Sequence, residues 1–284
     1  MEIPEGYTRL TPSTIDNFLT CGLAVQKDQE TGGRPFKCSM AVGSAVAEVA
    51  RTDCETKLFY KKAGARVRGI KIEKARELAV FFYDAELEEA EGVLWEGTTQ
   101  EDIDIFRHRA ADAAQCFIEQ ASPILDPILT EVALYRTMKS VPVVLAGTPD
   151  YVTEEGVGDL KVGPTKKSWF PSKVRAHRQL SLYGILHKAH YGKYPDSVWI
   201  DHVYFSAKKG WQFERIIDVR TPRDYSAMLN VVKPTYDAMQ KEVYLPPSNG
   251  SWKCDRRYCH HFSTCEARPD EPQLEEETDG ESAV

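Results

Sequence analysis

Gly147-Thr148-Pro149-Asp150-Tyr151-Val152-Thr153-Glu154-Glu155-Gly156-Val157-Gly158-Asp159-Leu160-Lys161 reads as a β-hairpin, and the rest of the chain is arranged around it. Val141, Val143, Val144 and Leu145 form an apolar, β-branched approach, Glu154-Glu155-Gly156 supplies the turn, and residues 157–162 return. With Glu154-Glu155 as the loop, the register sets Asp150 directly opposite Asp159. Opposed side chains on one face lie about 5 Å apart at Cβ, where like charges repel. A compensating cation is therefore expected. The two-residue period of a strand puts Lys161 on the same face as Asp159. Two carboxylates and an ammonium suit a hard divalent ion such as Mg²⁺ or Mn²⁺, which lowers the pKa of a bound water. Lys161 can orient that water or neutralise charge developing on a phosphate. By spacing alone the same residues also describe a solvated ion pair on an exposed strand.

The 284 residues are 42% hydrophobic, enough for one large domain with a substantial core. No apolar run approaches the ~20 residues of a membrane span, and Met1-Glu2-Ile3-Pro4-Glu5-Gly6 lacks the basic and apolar regions of a signal peptide. A cytoplasmic protein is expected, with its seven cysteines reduced or bound to metal rather than paired as disulfides. The net charge of −7 does not exclude nucleic acid, because the segment after Arg268 carries seven acidic residues and no basic one. Residues 1–268 are therefore neutral overall and can hold a basic groove, whereas 269–284 reads as a disordered acidic tail.

Along the chain, Thr11-Pro12-Ser13-Thr14 opens a short helix with Ile15, Phe18 and Leu19 on one face and Cys21 near its end. Residues 26–37 are polar and read as a loop, and 43–58 as a helix whose Ala45, Ala47 and Ala50 permit close packing. Residues 72–92 and 102–121 are amphipathic helices, so that about 50–128 reads as a helical insertion before the sheet. Residues 164–171 form a loop carrying Lys166, Lys167, Trp169 and Phe170, and 173–191 a helix on which Gln179 and Tyr183, four apart, share a face. Two further strands, 198–205 and 212–219, flank Lys208-Lys209-Gly210, and a helix over 222–241 precedes a cysteine-rich end. The succession is α/β.

Cys254, Cys259 and Cys265 follow a Pro246-Pro247-Ser248-Asn249-Gly250 turn. Their spacing is not the two-residue knuckle of structural zinc sites. A fourth ligand could be His260 or His261, giving Zn²⁺, or a distant cysteine, giving an iron–sulfur cluster.

Asp150 followed by Asp159-Leu160-Lys161 resembles the Asp…(Asp/Glu)-x-Lys core of the PD-(D/E)XK nuclease superfamily. Gly147-Thr148-Pro149-Asp150-Tyr151-Val152 and Gln179-Leu180-Ser181-Leu182-Tyr183, the latter matching Gln-x-x-x-Tyr, are similar to its RecB-like branch, which includes CRISPR-associated exonucleases. The resemblance spans about residues 10–266. It implies a PD-(D/E)XK restriction-endonuclease-like core, a central mixed sheet flanked by helices, with the helical insertion and a C-terminal segment, 246–268, closing on Cys21 within one domain, 1–268. It further implies that Cys21, Cys254, Cys259 and Cys265 hold a [4Fe–4S] cluster, leaving Cys38, Cys54 and Cys116 as ordinary thiols.

The function implied is metal-dependent DNA exonuclease action on single strands or ends, in recombination, repair or phage DNA metabolism. Asp150 and Asp159 would hold Mg²⁺ or Mn²⁺, Lys161 would position water, and Gln179 and Tyr183 would support the site. Lys166, Lys167, Arg175, Lys208 and Lys209 would meet phosphates, and Trp169 and Phe170 unpaired bases. One position departs from the family. Gly43-Ser44-Ala45-Val46-Ala47 resembles its Gly-x-x-x-His helix start, but Ala47 stands where a metal-binding histidine is usual. Glu48 is no ready substitute, because one helical step rotates a side chain by ~100°. Ala47 is compatible with retained activity, with deliberate replacement of His, and with a catalytically weak DNA-binding or complex-assembly subunit that keeps the fold. No recombination or helicase partner is specified.

Overall fold

The computed structural model describes residues 3–31, 35–90, 97–248, 251, 253–256 and 258–268. The acidic tail, 269–284, lies outside the described residues, as do Asn249 and Gly250 of the proline-rich turn. In chain order the elements are β1 (Thr8–Leu10), α1 (Pro12–Thr20), α2 (Gly22–Thr31), α3 (Cys38–Lys62), α4 (Ile72–Glu89), α5 (Gln100–Cys116), β2 (Leu129–Thr130), β3 (Leu134–Thr137), β4 (Val143–Gly147), β5 (Tyr151–Val152) and β6 (Gly156–Gly163). They continue with α6 (Pro171–Ala176), α7 (Arg178–Tyr191), β7 (Ser197–Ser206), β8 (Gly210–Asp218) and α8 (Pro222–Gln240). The chain divides into two compact units, Met1–Asp16 with Pro35–Glu242, and Asn17–Arg34 with Val243–Val284.

The first unit is an α/β assembly with a mixed sheet between helices. Five strands run in the order β2-β5-β6-β7-β8, with β6 and β7 parallel and the other neighbours antiparallel. A three-stranded sheet, β1-β4-β3, accompanies it. The hairpin register is the expected one: Tyr151 pairs with Gly158 and Val152 with Val157, which carries Asp150 across from Asp159. The approach strand differs from expectation. β4 belongs to the three-stranded sheet, and the chain leaves it at Thr148-Pro149-Asp150, where Pro149 has no N–H to continue a ladder. Gly158 is required because an added Cβ would lie 2.3 Å from the Tyr151 ring and 2.4 Å from Trp199 Nε1.

Alternation along β6 divides the core. Leu160, with Tyr151, Trp199 and Val203, faces a layer built by α3, α4 and α5, where Ala45, Ala79, Ala110 and Ala114 let the helices approach closely. Val157 and Ile200 face the opposite layer, with Leu182, Ile185 and Leu186 of α7 and Met228 and Val232 of α8. Asp159 and Lys161 share the Val157 face and so look toward α7. α3 runs unbroken through residue 50 and packs against β2 and β6.

The expected helix over 173–191 is two helices meeting at His177, whose backbone is extended (φ −77°, ψ 109°). Buried Arg220 donates to the carbonyls of Val174 (2.7 Å), Arg175 and His177 (3.1 Å), satisfying the freed end of α6.

In the second unit, part of the expected 26–37 loop is helical: α2 extends to Thr31 because its polar residues are good helix formers. α2 starts at Gly22, where a Cβ would lie 2.9 Å from the Leu245 backbone nitrogen.

Candidate active site

In the first unit, the pairing of β5 with β6 and the face of α7 bring five of the expected residues together. Lys161 Nζ stands 2.7 Å from Asp159 Oδ2. Gln179 Nε2 donates to Asp159 Oδ1 at 2.8 Å and lies 2.7 Å from the Tyr183 hydroxyl, which donates to the Thr148 carbonyl at 3.0 Å. The four-residue spacing on α7 thus spans from the second carboxylate to the chain just before the first. Gly147 makes room for this, since a Cβ there would come within 2.9 Å of the Tyr183 ring. Asp150 accepts the Leu160 backbone N–H, and Thr130 Oγ1 donates to the Asp150 carbonyl at 2.8 Å.

The carboxylates are energetically exposed by this arrangement. Burial and then the Asp159 charge push Asp150 well above the usual carboxylate range. Burial raises Asp159 too, although Lys161 opposes it. Burial disfavours charge on Lys161, but Asp159 and Asp150 outweigh it and hold the ammonium above its ordinary value. Asp159 is 2% exposed, and among the described residues the Lys161 ammonium is the partner of its Oδ2. Two buried, mutually repelling carboxylates with a single ammonium beside them fit a divalent cation.

Sequence reasoning missed Glu131. The β2–β5 register sets Thr130 against Tyr151, placing Glu131 opposite Asp150. Its φ of 48° is left-handed, a conformation costly for a glutamate and characteristic of functional sites. Burial first, then Glu48 and Asp159, raise its pKa to about 7. A two-residue strand followed by positive φ has no signature in residue order. Glu48, set aside on helical rotation, does act on Glu131, while Arg51 pairs with Glu48 at 2.7 Å and opposes that effect. Ala47, one turn before Arg51, shares its helix face.

A basic rim adjoins Lys161. Lys161 and Lys173 add to the burial that lowers His177 to about 3, and Lys173 and Lys166 to the burial that lowers His202 to about 4, so both imidazoles are neutral. His202 is paired with Lys161 in the β6–β7 register. Of the expected phosphate contacts, Lys167, Lys208 and Lys209 are exposed and Lys166 lies 3.2 Å from Glu214. Arg175 is already engaged, at 3.2 Å from Asp218, 2.9 Å from Asp224 and 2.8 Å from the Val219 carbonyl. Lys173 Nζ sits 4.3 Å over the Trp169 ring, and Phe170 is 47% exposed.

In the second unit, Cys21, Cys254, Cys259 and Cys265 are half-buried free thiols, whereas Cys38, Cys54 and Cys116 are buried in the first. Burial, then Cys21, Cys259 and Cys265, raise Cys254, so the four sulfurs lie within electrostatic reach of one another. The Ala24 N–H donates to Cys21 Sγ at 3.3 Å.

A carboxylate pair and a lysine on adjoining segments of a sheet, braced from a helix by Gln-x-x-x-Tyr, are the arrangement the sequence led one to expect. The chain belongs to the PD-(D/E)XK nuclease superfamily, which residues 9–266 match. No curated protein matches it. Among solved structures it is similar to an exonuclease candidate from Eubacterium rectale, at 12% identity over 73% of this chain and 85% of that one, with a TM-score of 0.39. The alkaline exonuclease LHK-Exo from Laribacter hongkongensis is 15% identical over 60% of this chain and 88% of that one, with a TM-score of 0.27. Likeness at this level carries no weight beside the family match. Among the described residues no helix is long and apolar enough to cross a membrane.

Proposed function

We propose that the chain is a metal-dependent DNA exonuclease acting on single strands or ends, in recombination, repair or phage DNA metabolism. The observation that carries this reading is the hydrogen-bonded row Asp159–Gln179–Tyr183 with Asp150 opposite and Lys161 alongside. Asp150 and Asp159, with Glu131, would hold Mg²⁺ or Mn²⁺, which when bound supplies a water of lowered pKa and polarises the scissile phosphate. Gln179 holds Asp159 Oδ1 and Lys161 pairs with Oδ2, so an ion would share that oxygen with the ammonium. Lys161, charged at neutral pH, stabilises the phosphorane charge or orients the attacking water. Lys166, Lys167, Lys208 and Lys209 would follow a phosphate backbone, and Phe170 would stack on an unpaired base. Arg175 contributes only if it releases its carboxylates.

In the second unit Cys21, Cys254, Cys259 and Cys265 would hold a [4Fe–4S] cluster, with zinc the alternative. The thiol proximity and the N–H donated to Cys21 support that reading.

Ala47 favours a second reading, a DNA-binding or complex-assembly subunit with weak catalysis. Degradation of end-labelled single-stranded DNA with Mn²⁺ separates the two. Turnover that is lost in Asp159→Ala and rises at least about tenfold in Ala47→His, the scale on which metal-site ligation is felt, supports a nuclease with an incomplete ligand set. DNA binding without turnover in all three proteins supports the subunit.

The raised Glu131 pKa gives the activity a pH signature. Glu131 becomes an anionic ligand only as pH climbs through about 7, so the Mn²⁺ needed for half-maximal turnover falls across that interval. Glu131→Gln should flatten this dependence and raise the Mn²⁺ requirement roughly tenfold, as measured by metal titrations on either side of neutrality. An unchanged pH dependence would remove Glu131 from the ligand set.

A further inference from the structure

A second group of metal-ligating side chains stands in the second unit, beside the thiols: the His261 backbone is hydrogen-bonded to Cys259, and Asp28 lies within electrostatic reach of that sulfur. We infer that Asp28, His260 and His261 bind a first-row divalent ion of the Zn²⁺ class. Asp28 lies on α2, and the two histidines occupy the turn before the 3-10 turn Phe262–Thr264. Both imidazoles bring Nε2 to one carboxylate oxygen: His260 at 3.0 Å and His261 at 2.9 Å from Asp28 Oδ1. The three ligand atoms all lie within 4.8 Å of one another.

Consecutive residues ordinarily direct their side chains apart. Here the rings converge, with centroids 3.8 Å apart and planes tilted by 44°. His261 is 6% exposed, so its ring is held within the interior. Two imidazoles can share one oxygen through hydrogen bonds only if both carry their proton on Nε2. A metal removes that requirement, since it takes the lone pair of each nitrogen in place of a proton. Metal–nitrogen and metal–oxygen bonds of ~2.0–2.2 Å in tetrahedral geometry separate ligand atoms by roughly 3.3 Å. The two histidine–carboxylate distances need to open by only a few tenths of an ångström.

Two imidazoles and one carboxylate select zinc-like ions over Mg²⁺ or Ca²⁺, which prefer all-oxygen shells. Three protein ligands leave a fourth position for water. The site would tie α2 to the C-terminal segment of its own unit, where among the described residues Gly22, His261 and Phe262 are the buried ones. This inference does not depend on the nuclease reading.

Cobalt is the probe that separates this site from the thiols, because thiolate ligation gives an intense charge-transfer absorption that nitrogen and oxygen ligation lacks. Full-length protein cleared of loosely bound metal should take up one equivalent of Co²⁺ with ligand-field bands and no thiolate band. Asp28→Asn and His261→Asn should weaken uptake at least about tenfold. In the wild type, Zn²⁺ should protect His260 and His261 from diethyl pyrocarbonate, a readout that needs no variant to fold. No uptake by the wild type, a thiolate band, uptake unaffected by both substitutions, or histidines modified equally with and without Zn²⁺ would each overturn the site.

Discussion

Asp150→Asn is expected to abolish metal-dependent DNA cleavage while making the metal-free protein more stable. Loss of turnover should exceed the roughly 10–100-fold that removal of a supporting partner costs, because a ligand itself is lost. The stability gain follows from the cause of the raised Asp150 pKa, which is burial first and the Asp159 charge second. A carboxyl whose pKa is raised by folding holds its proton more tightly in the folded state. Stability is then greatest below the unfolded value and declines as pH climbs through the raised one. Asparagine keeps an acceptor for the Leu160 N–H and removes the charge. Metal-free wild type should therefore melt below the variant at about pH 8, and the gap should narrow toward about pH 3, below the ordinary aspartate value of about 3.9, where the wild-type carboxyl is largely neutral in both states. Saturating Mn²⁺ should reverse the order. A variant that melts lower than metal-free wild type at alkaline pH would show that Asp150 is a structural anchor and not a strained ligand.

Cys259→Ala is expected to release the metal of the second unit and loosen that unit alone. The reason lies in its composition. Among its described residues only Gly22, His261 and Phe262 are buried, too little apolar surface to offset the entropy of ordering the segment. Units of this kind depend on cross-links, and a cluster joining Cys21 to Cys265 would close both segments at once. The first unit has its own two-layered core and should persist. Limited proteolysis is the direct measurement: cleavage within 243–268 should become at least about tenfold faster in the variant, with the remainder of the chain resistant, and protein-bound iron and sulfide should disappear. Stoichiometric zinc without iron in the wild type would replace the cluster by a zinc site at the same thiols. Unchanged proteolysis would show that the thiols do not hold the unit together.

The two results are independent because the carboxylates and the thiols lie in different units. A chain that keeps its iron in Asp150→Asn but cuts no DNA, and one that loses iron in Cys259→Ala but retains a folded first unit, would separate chemistry from architecture.

Local periodicity accounts for much of the carboxylate site. A two-residue loop sets Asp150 against Asp159, strand alternation puts Lys161 beside Asp159, and a helical turn aligns Gln179 with Tyr183; each relation spans at most a dozen residues and needs no distant partner. The α/β succession was legible for the same reason, since apolar periods of two and near four persist along each element. Other features depend on segments far apart in the chain. Glu131 reaches Asp150 through a two-residue strand and a positive φ that residue order does not announce. Arg175 looked available for phosphate until Asp218 and Asp224, more than forty residues on, surrounded it. Helix polarity hid α2, and Arg220 decides where α6 ends. The meeting of Asp28 with His260 and His261 joins residues more than two hundred positions apart. Short-range geometry follows from the backbone alone, whereas the choice of neighbour for a long, charged side chain is made by burial and by whatever opposite charge the completed fold brings within reach.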